Sequence, residues 1–213
     1  FLIIKLSSIG DIVHSLPFLR TLRAHHPDAY IAWMIEESFR TLIDCNPDLD
    51  EVIPVRIKYW RKNLNINSWH EIYAMQQLLK KRKFNWTFDL QGLIKTGIIA
   101  LMTGTSNRAG FHRNNCREKI NAWFNNRPSK YIPKGGHVVD LCLSQLSVLG
   151  SFSSRVEFPL PIPSKDELVS ETFISENPDL ASRPIVGINP GAGFPTKIWS
   201  LKRYAELADL LVV

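Results

Sequence analysis

The first sixteen residues, Phe1-Leu-Ile-Ile-Lys-Leu-Ser-Ser-Ile-Gly-Asp-Ile-Val-His-Ser-Leu16, pass from an apolar run through a small polar turn into helical spacing. Residues 1–4 are continuously apolar, as in a strand buried on both faces, while Ile12, Val13, Leu16, Leu19 and Leu22 recur at helical intervals. Strand, loop and helix in this order place Ser7, Ser8, Gly10 and the carboxylate of Asp11 at the carboxyl end of a first parallel strand. Open α/β sheets bind their ligands there. Taken alone, Asp11 has two readings: an N-cap whose carboxylate accepts a free amide of the first helical turn, or a general base at the top of a sheet.

Working outward, residues 30–35 and 51–55 read as further buried strands, with a short helix through Phe39, Leu42 and Ile43 between them. A helix is predicted over residues 69–83 with an apolar face at Ile72, Met75, Leu78 and Leu79; its last residues, Lys80-Lys-Arg-Lys83, suit the negative end of the helix dipole. Trp86-Thr-Phe-Asp-Leu90 reads as a strand, followed by Gln91-Gly-Leu-Ile-Lys-Thr-Gly97 at the turn into another helix. Alternating strands and helices argue for a doubly wound α/β sheet. Residues 104–136, rich in Gly, Asn and Arg, read as a flexible basic segment able to fold over a ligand. A core helix follows to about residue 149, with His137 capping or packing at its start.

The stretch from Gly150 to Pro163, with Phe158-Pro-Leu-Pro-Ile-Pro163, is the most linker-like in the chain. It separates an N-terminal domain over residues 1–155 from residues 156–213, which hold the rest of the linker and the start of a second domain. Beyond it come a polar helix from Ser164, a strand over 184–188, and the glycine-rich Asn189-Pro-Gly-Ala-Gly-Phe-Pro-Thr-Lys-Ile-Trp-Ser200 ahead of a last helix. Glycines that admit backbone amides, a helix N-terminus and the ammonium of Lys197 suit a phosphate, although the spacing is not that of the P-loop. A second domain with a single strand is incomplete, so the chain reads as part of a longer protein.

The 213 residues are 45% hydrophobic, enough for a packed core. No window of apolar residues is long enough for a membrane span, and the N-terminus lacks the pattern of a signal peptide. Cys45, Cys116 and Cys142 are far apart and unpaired in spacing, which argues for a reducing compartment and against a zinc site. The net charge of +6 is uneven: residues 1–136 carry 20 Lys and Arg against 11 Asp and Glu, residues 137–213 carry 6 against 9. An anionic partner of the N-terminal part is implied, whether nucleic acid, an acidic membrane surface or a phosphorylated substrate. The densest run is Arg56-Ile-Lys-Tyr-Trp-Arg-Lys62, read as an anion-binding loop with Tyr59 and Trp60 supplying apolar area, or as a solvated basic loop. A basic nucleic-acid module would use Arg56 to Lys62 and Arg108 to Lys119, but leaves Asp11 and the Gly191 to Lys197 loop without purpose. A nicotinamide dehydrogenase lacks its GxGxxG after the first strand.

Lys5-Leu-Ser-Ser-Ile-Gly-Asp-Ile-Val-His-Ser-Leu-Pro17, the basic run with its Val52-Ile-Pro-Val55 lead-in, Asp89-Leu-Gln-Gly-Leu-Ile-Lys-Thr96, Arg117-Glu118 and Pro190-Gly-Ala with Lys197-Ile-Trp199 together resemble the family 9 glycosyltransferases, the bacterial lipopolysaccharide heptosyltransferases. The basic run is most similar to the branch that adds the first heptose. The resemblance implies a GT-B fold, with a Rossmann-like N-terminal domain and the beginning of a second one. It implies an inverting transfer of heptose from ADP-heptose to the acidic Kdo-lipid A inner core, at the cytoplasmic side of the inner membrane and in peripheral contact with its anionic surface. Nucleic acid is then no partner, and neither a metal nor another cofactor is called for. Carried over by residue, Asp11 is the catalytic base; Ser8, Gly10, Lys58, Arg61, Lys62, Gln91, Arg113 and Arg117 bind the acceptor; and Gly191, Gly193, Thr196 and Lys197 hold the donor diphosphate.

Overall fold

Six strands, β1 (Leu2–Ile4), β2 (Ala32–Glu36), β3 (Glu51–Val55), β4 (Trp86–Asp89), β5 (Asn107–Gly110) and β6 (Arg127–Pro128), pair in parallel in the order β3-β2-β1-β4-β5-β6. The computed structural model describes residues 1–150, 156–182 and 184–211. Leu2, Ile3 and Ile4 are fully buried because β1 is central and covered on both sides. On one face Ile3 packs with Phe18, Leu19, Trp33, Phe88 and Leu146; on the other, Leu2 and Ile4 pack with Met34, Met75, Leu79 and Ile99. Each fully buried aliphatic side chain of this kind contributes roughly 1.5–3 kcal/mol over an exposed one.

The helices of this unit are α1 (Ile9–Val13), α2 (Leu16–His25), α3 (Ile57–Lys62), α4 (Ile66–Arg82), α5 (Ile94–Met102) and α6 (Val138–Ser144). The strand order reverses between β1 and β4, whose register pairs Ile4 with Asp89. The loops leaving these two strands therefore emerge side by side, at the switch point where doubly wound sheets hold ligands.

Several expected elements differ in detail, each for an identifiable reason. The first helix is two: α1 stops before Ser15 because Pro17 near the start of α2 has no N–H to donate and crowds the carbonyl four residues back. Ser15 instead donates its hydroxyl to the Asp11 carbonyl at 2.8 Å. The basic run forms the helix α3 rather than a loop, and Trp60 is buried within it, donating its indole N–H to Glu71 at 2.6 Å. α4 starts earlier than expected, at Ile66, because Asn65 caps it by accepting the Ser68 amide at 3.0 Å; Leu78 lies off its buried face.

Residues 104–136 are not a free flap. They contain β5 and β6, and Asn126 accepts the Arg108 amide at 2.9 Å while the Arg108 side chain donates to the carbonyls of Phe124 and Thr105 at 2.8 and 2.7 Å. His137 caps α6 through Nδ1, which accepts the Val139 amide at 3.2 Å, in line with the capping expectation.

The chain divides into two compact units, Phe1–Ile162 and Pro163–Val213. Residues 151–155, the first part of the expected linker, lie outside the described residues. Residues 156–162 stay with the first unit: Glu157 pairs with Arg20 at 3.2 Å, and the Pro159 carbonyl accepts from Asn46 at 3.0 Å. The second unit holds α7 (Ser164–Glu176), α8 (Pro178–Ser182) and α9 (Leu201–Leu211). The strand expected over 184–188 does not form among the described residues; Ile185, Val186 and Ile188 stay exposed, and the segment has no neighbouring strand to complete a ladder. Among the described residues no helix is long and apolar enough to cross a membrane.

Candidate functional site

Asp11 occupies the third position of α1, not its N-cap, and its Oδ2 accepts both the backbone N–H and the hydroxyl of Ser8 at 3.1 Å. The capping role is thus reciprocal, with the carboxylate reaching back over the turn. Only one of the two carboxylate oxygens is engaged by these contacts, and the side chain is half-buried, open on the side of exposed Ser8 and Gly10. A Cβ built on Gly10 meets nothing within 4 Å. The turn therefore presents a fixed carboxylate beside an open patch of small residues, where a hydroxyl-bearing ligand can approach.

Gln91 is what fixes this turn against the neighbouring strand end. Its Oε1 accepts the amides of Leu6 and Ser7 at 3.0 and 3.3 Å, and its Nε2 donates to the Ser7 carbonyl at 2.8 Å. The carboxamide is buried and spent on backbone, which makes it a positioning group for the Asp11 turn. Beneath it, Lys5 is also buried and donates its ammonium to the Leu90 carbonyl at 2.7 Å.

The β4–α5 turn has its own anchor in Asp89, which is fully buried. Oδ1 accepts the amides of Gln91 and Gly92 at 3.0 and 3.1 Å, and Oδ2 accepts Thr96 Oγ1 at 3.0 Å and Asn121 Nδ2 at 2.5 Å. Burial pushes the Asp89 carboxyl up in pKa, and these four donors oppose that. Gly92 in this turn has φ +68°, and a Cβ there would lie 2.9 Å from Phe111, so only glycine suits it.

The same turn gathers the segment of Arg117 and Glu118. The Glu118 amide donates to the Gly92 carbonyl at 3.1 Å, and its carboxylate accepts the Ile94 amide at 2.6 Å. Arg117 is thereby held at the switch point with its side chain exposed. Farther along the sheet edge, Glu36 at the end of β2 accepts the Lys58 amide at 3.1 Å, so α3 starts directly over that strand end. Lys58, Arg61 and Lys62 are exposed, with the Lys58 ammonium 5.0 Å above the Phe39 ring.

Lys95, in the first turn of α5, joins this group and was not among the expected site residues. Burial, the largest cause, lowers its pKa; Glu36 opposes, Arg61 and Lys58 reinforce burial, and Glu118 opposes. A lysine in the first turn of a helix stands against the dipole, and that was the signal available in the sequence. The structure thus brings Ser8, Gly10, Asp11, Gln91 and Arg117 to the switch point, and Lys58, Arg61 and Lys95 to one flank of it. Lys62 and Arg113 are exposed without a described contact to either group. Trp60, buried, is not free to stack on a base, and Tyr59 instead faces the Arg56 guanidinium at 5.0 Å.

In the second unit, Gly191, Gly193, Thr196 and Lys197 are all exposed in the loop before α9. The Gly191 amide is taken by Asn189 Oδ1 at 3.0 Å, and the Lys197 ammonium lies 5.8 Å above the Phe194 ring. Lys197 ends a short 3-10 turn, Pro195–Lys197, so its charge is carried by a defined backbone.

The first unit is thus a doubly wound α/β domain with a fixed carboxylate at its switch point and cations on one flank. The family model for glycosyltransferase family 9 (heptosyltransferase) matches residues 72–212, and the chain belongs to that family. It is 30% identical to lipopolysaccharide heptosyltransferase 1 of Pseudomonas aeruginosa over 98% of this chain and 56% of that protein. It is 26% identical to lipopolysaccharide heptosyltransferase 2 of Escherichia coli over 99% of this chain and 60% of that protein. Among solved structures, E. coli heptosyltransferase WaaC with ADP aligns with a TM-score of 0.76 and 25% identity, covering 99% of this chain and 63% of that one. A glycosyl transferase family 9 structure from Veillonella parvula shares the fold at a TM-score of 0.80 and 21% identity, over 99% and 58% of the two chains. The chain thus spans little more than half the length of the Pseudomonas relative.

Proposed function

We propose that this chain carries the acceptor-binding part, and the opening of the donor-binding part, of an inverting heptosyltransferase that uses ADP-heptose and the acidic Kdo-lipid A inner core. The observation that carries the reading is Asp11: a carboxylate fixed by Ser8 on a turn that Gln91 staples to the next strand end, beside open space at Gly10. In the reaction the acceptor hydroxyl attacks the anomeric carbon, its proton passes to Asp11, and the bond from that carbon to the diphosphate oxygen breaks with its electron pair leaving on ADP. Lys197 and the amides of its loop, with Gly193 and Thr196 beside them, would meet the negative charge that grows on the diphosphate. Arg61, Lys58 and Arg117 suit an acidic acceptor through charge-assisted hydrogen bonds, with Lys62 and Arg113 at the periphery.

Contact with the anionic face of the inner membrane, from the cytoplasmic side, is part of the same proposal. It is supported by exposed Leu64, Ile66, Trp69 and Tyr73 next to the cations of α3. An assay of the full-length protein with ADP-heptose and Kdo-lipid A tests the reading. Release of ADP with a heptosylated lipid is expected; donor turnover on no acceptor bearing an acidic core sugar would reject it.

A further inference from the structure

Beside the cationic flank lies a groove of about 380 Å³ between α3, α4 and α5, walled chiefly by aliphatic side chains that include Leu64, Ile98 and Met102. Its volume falls within the range of sites that enclose small ligands. Three cations, Lys58, Arg61 and Lys95, stand among its lining residues, and among the described residues none of the three is in a salt bridge. Glu36 offsets part of that charge from below, through its effect on Lys95. Leu64 and Ile98 remain 69% and 43% exposed, so the apolar walls open directly to the outside rather than closing into the core.

An apolar slot with a cationic mouth complements an amphiphile whose head is anionic and whose tail is a hydrocarbon chain. A soluble sugar phosphate satisfies the mouth and leaves the walls wet; a neutral lipid satisfies the walls and leaves the cations unpaired. The mouth includes Lys58 and Arg61, two of the residues assigned above to the acidic acceptor, so the groove continues that site rather than forming a separate one. We infer that the groove between α3, α4 and α5 takes one acyl chain of the acidic lipid acceptor while Lys58, Arg61 and Lys95 hold its anionic head. This inference rests on the acceptor reading proposed above and adds a subsite to it.

Dodecyl phosphate, below its critical micelle concentration, is the single-chain probe. Titrated into the protein and followed calorimetrically, it is expected to bind at least tenfold more tightly than either inorganic phosphate or dodecyltrimethylammonium. Octyl phosphate should be weaker by up to about fourfold for each methylene lost, the scale for a buried methylene. Ile98→Asn and, separately, Leu64→Asn place a polar group in the exposed part of the walls. Each should remove most of the chain-length dependence while leaving inorganic phosphate binding unchanged. Equal affinity for dodecyl phosphate and inorganic phosphate, or a chain-length dependence untouched by both variants, would overturn the inference.

The source of the chain is tested by displacement in nonionic detergent. Acylated Kdo-lipid A should displace dodecyl phosphate at least tenfold more effectively than its deacylated form, which competes for the cationic mouth alone, whereas phosphatidylglycerol should not displace it. Displacement by phosphatidylglycerol alone would overturn the assignment in favour of bulk lipid. Failure of the heptosyltransferase reading looks different: no transfer to acylated or deacylated acceptor, with the displacement pattern intact.

Discussion

Replacing Gln91 by alanine removes the side-chain bonds from the β4–α5 turn to the Leu6-Ser7 backbone of the Asp11 turn, and leaves the Lys5–Leu90 contact as the remaining side-chain link between the two loops among the described residues. Three hydrogen bonds disappear together, from the Leu6 and Ser7 amides at 3.0 and 3.3 Å and to the Ser7 carbonyl at 2.8 Å. Leu6 is fully buried, so its amide loses its partner away from water, at about 1–3 kcal/mol. Ser7 is half-buried, and water can re-solvate its two groups; their loss costs about 0.5–1.5 kcal/mol in all, the net worth of one ordinary bond. The sum is about 1.5–4.5 kcal/mol of stability, or on the order of 3–18 °C in melting temperature for a domain of this size. Urea unfolding followed by tryptophan fluorescence measures the first figure, and calorimetry the second. Because the staple sets the position of Asp11, transfer activity at a temperature where the variant is folded should also fall, through kcat rather than the donor KM. A Gln91→Ala protein that loses less than about 1 kcal/mol and keeps its kcat would show that the two turns hold their positions without the carboxamide.

The same geometry sets three further outcomes. Arg61→Ala should raise the acceptor KM by about 10- to 150-fold, the equivalent of the 1.5–3 kcal/mol of a charge-assisted contact, with the donor KM unchanged; steady-state kinetics with each substrate varied would reveal the reverse pattern. Gly10→Ala should leave the melting temperature unchanged or slightly higher, since nothing lies within 4 Å of the added methyl and alanine favours the helix, yet raise the acceptor KM if the acceptor packs against that turn. Burial, with the Asp89 charge adding to it, pushes the Cys116 thiol up to about 11. Cys45, exposed, should therefore react with a disulfide reagent at pH 8 while Cys116 stays protonated and unreactive until the pH nears 11 or the chain unfolds.

The part of the fold that rests on buried strands was legible from apolar runs alone. Residues 1–4 and 30–35 needed no partner to be recognised, because a strand covered on both faces is apolar nearly throughout. β5 and β6 escaped that logic: Asn-Arg-Ala-Gly and Arg-Pro are short and polar, at one side of the sheet, with Ala109 alone reaching the core and the side chains of Asn125, Asn126 and Arg108 adding hydrogen bonds around them. Within the site, Asp11 and the cations were readable as chemistry at a strand end. The role of Gln91 was not, because an amide reads the same whether it faces a ligand or a backbone loop. Asp89 and Asn121 were hidden for a related reason: their importance lies in a contact across 32 positions of sequence, which no local pattern encodes. The strand expected over 184–188 shows the opposite failure, an apolar run whose local preference is not enough without a neighbour to pair with.

The central claim is that Asp11 takes the proton from the acceptor hydroxyl, and Asp11→Asn tests it most directly. Asparagine is nearly isosteric and can still accept the Ser8 amide that Oδ2 now accepts at 3.1 Å, so the turn should survive. Rapid-quench single-turnover kinetics on the full-length variant, with circular dichroism and donor and acceptor affinities unchanged, should show heptose transfer slowed by at least about a hundredfold. A rate within a few-fold of the unsubstituted protein would contradict the account and leave Asp11 only its structural contact back to Ser8, the N-cap of α1.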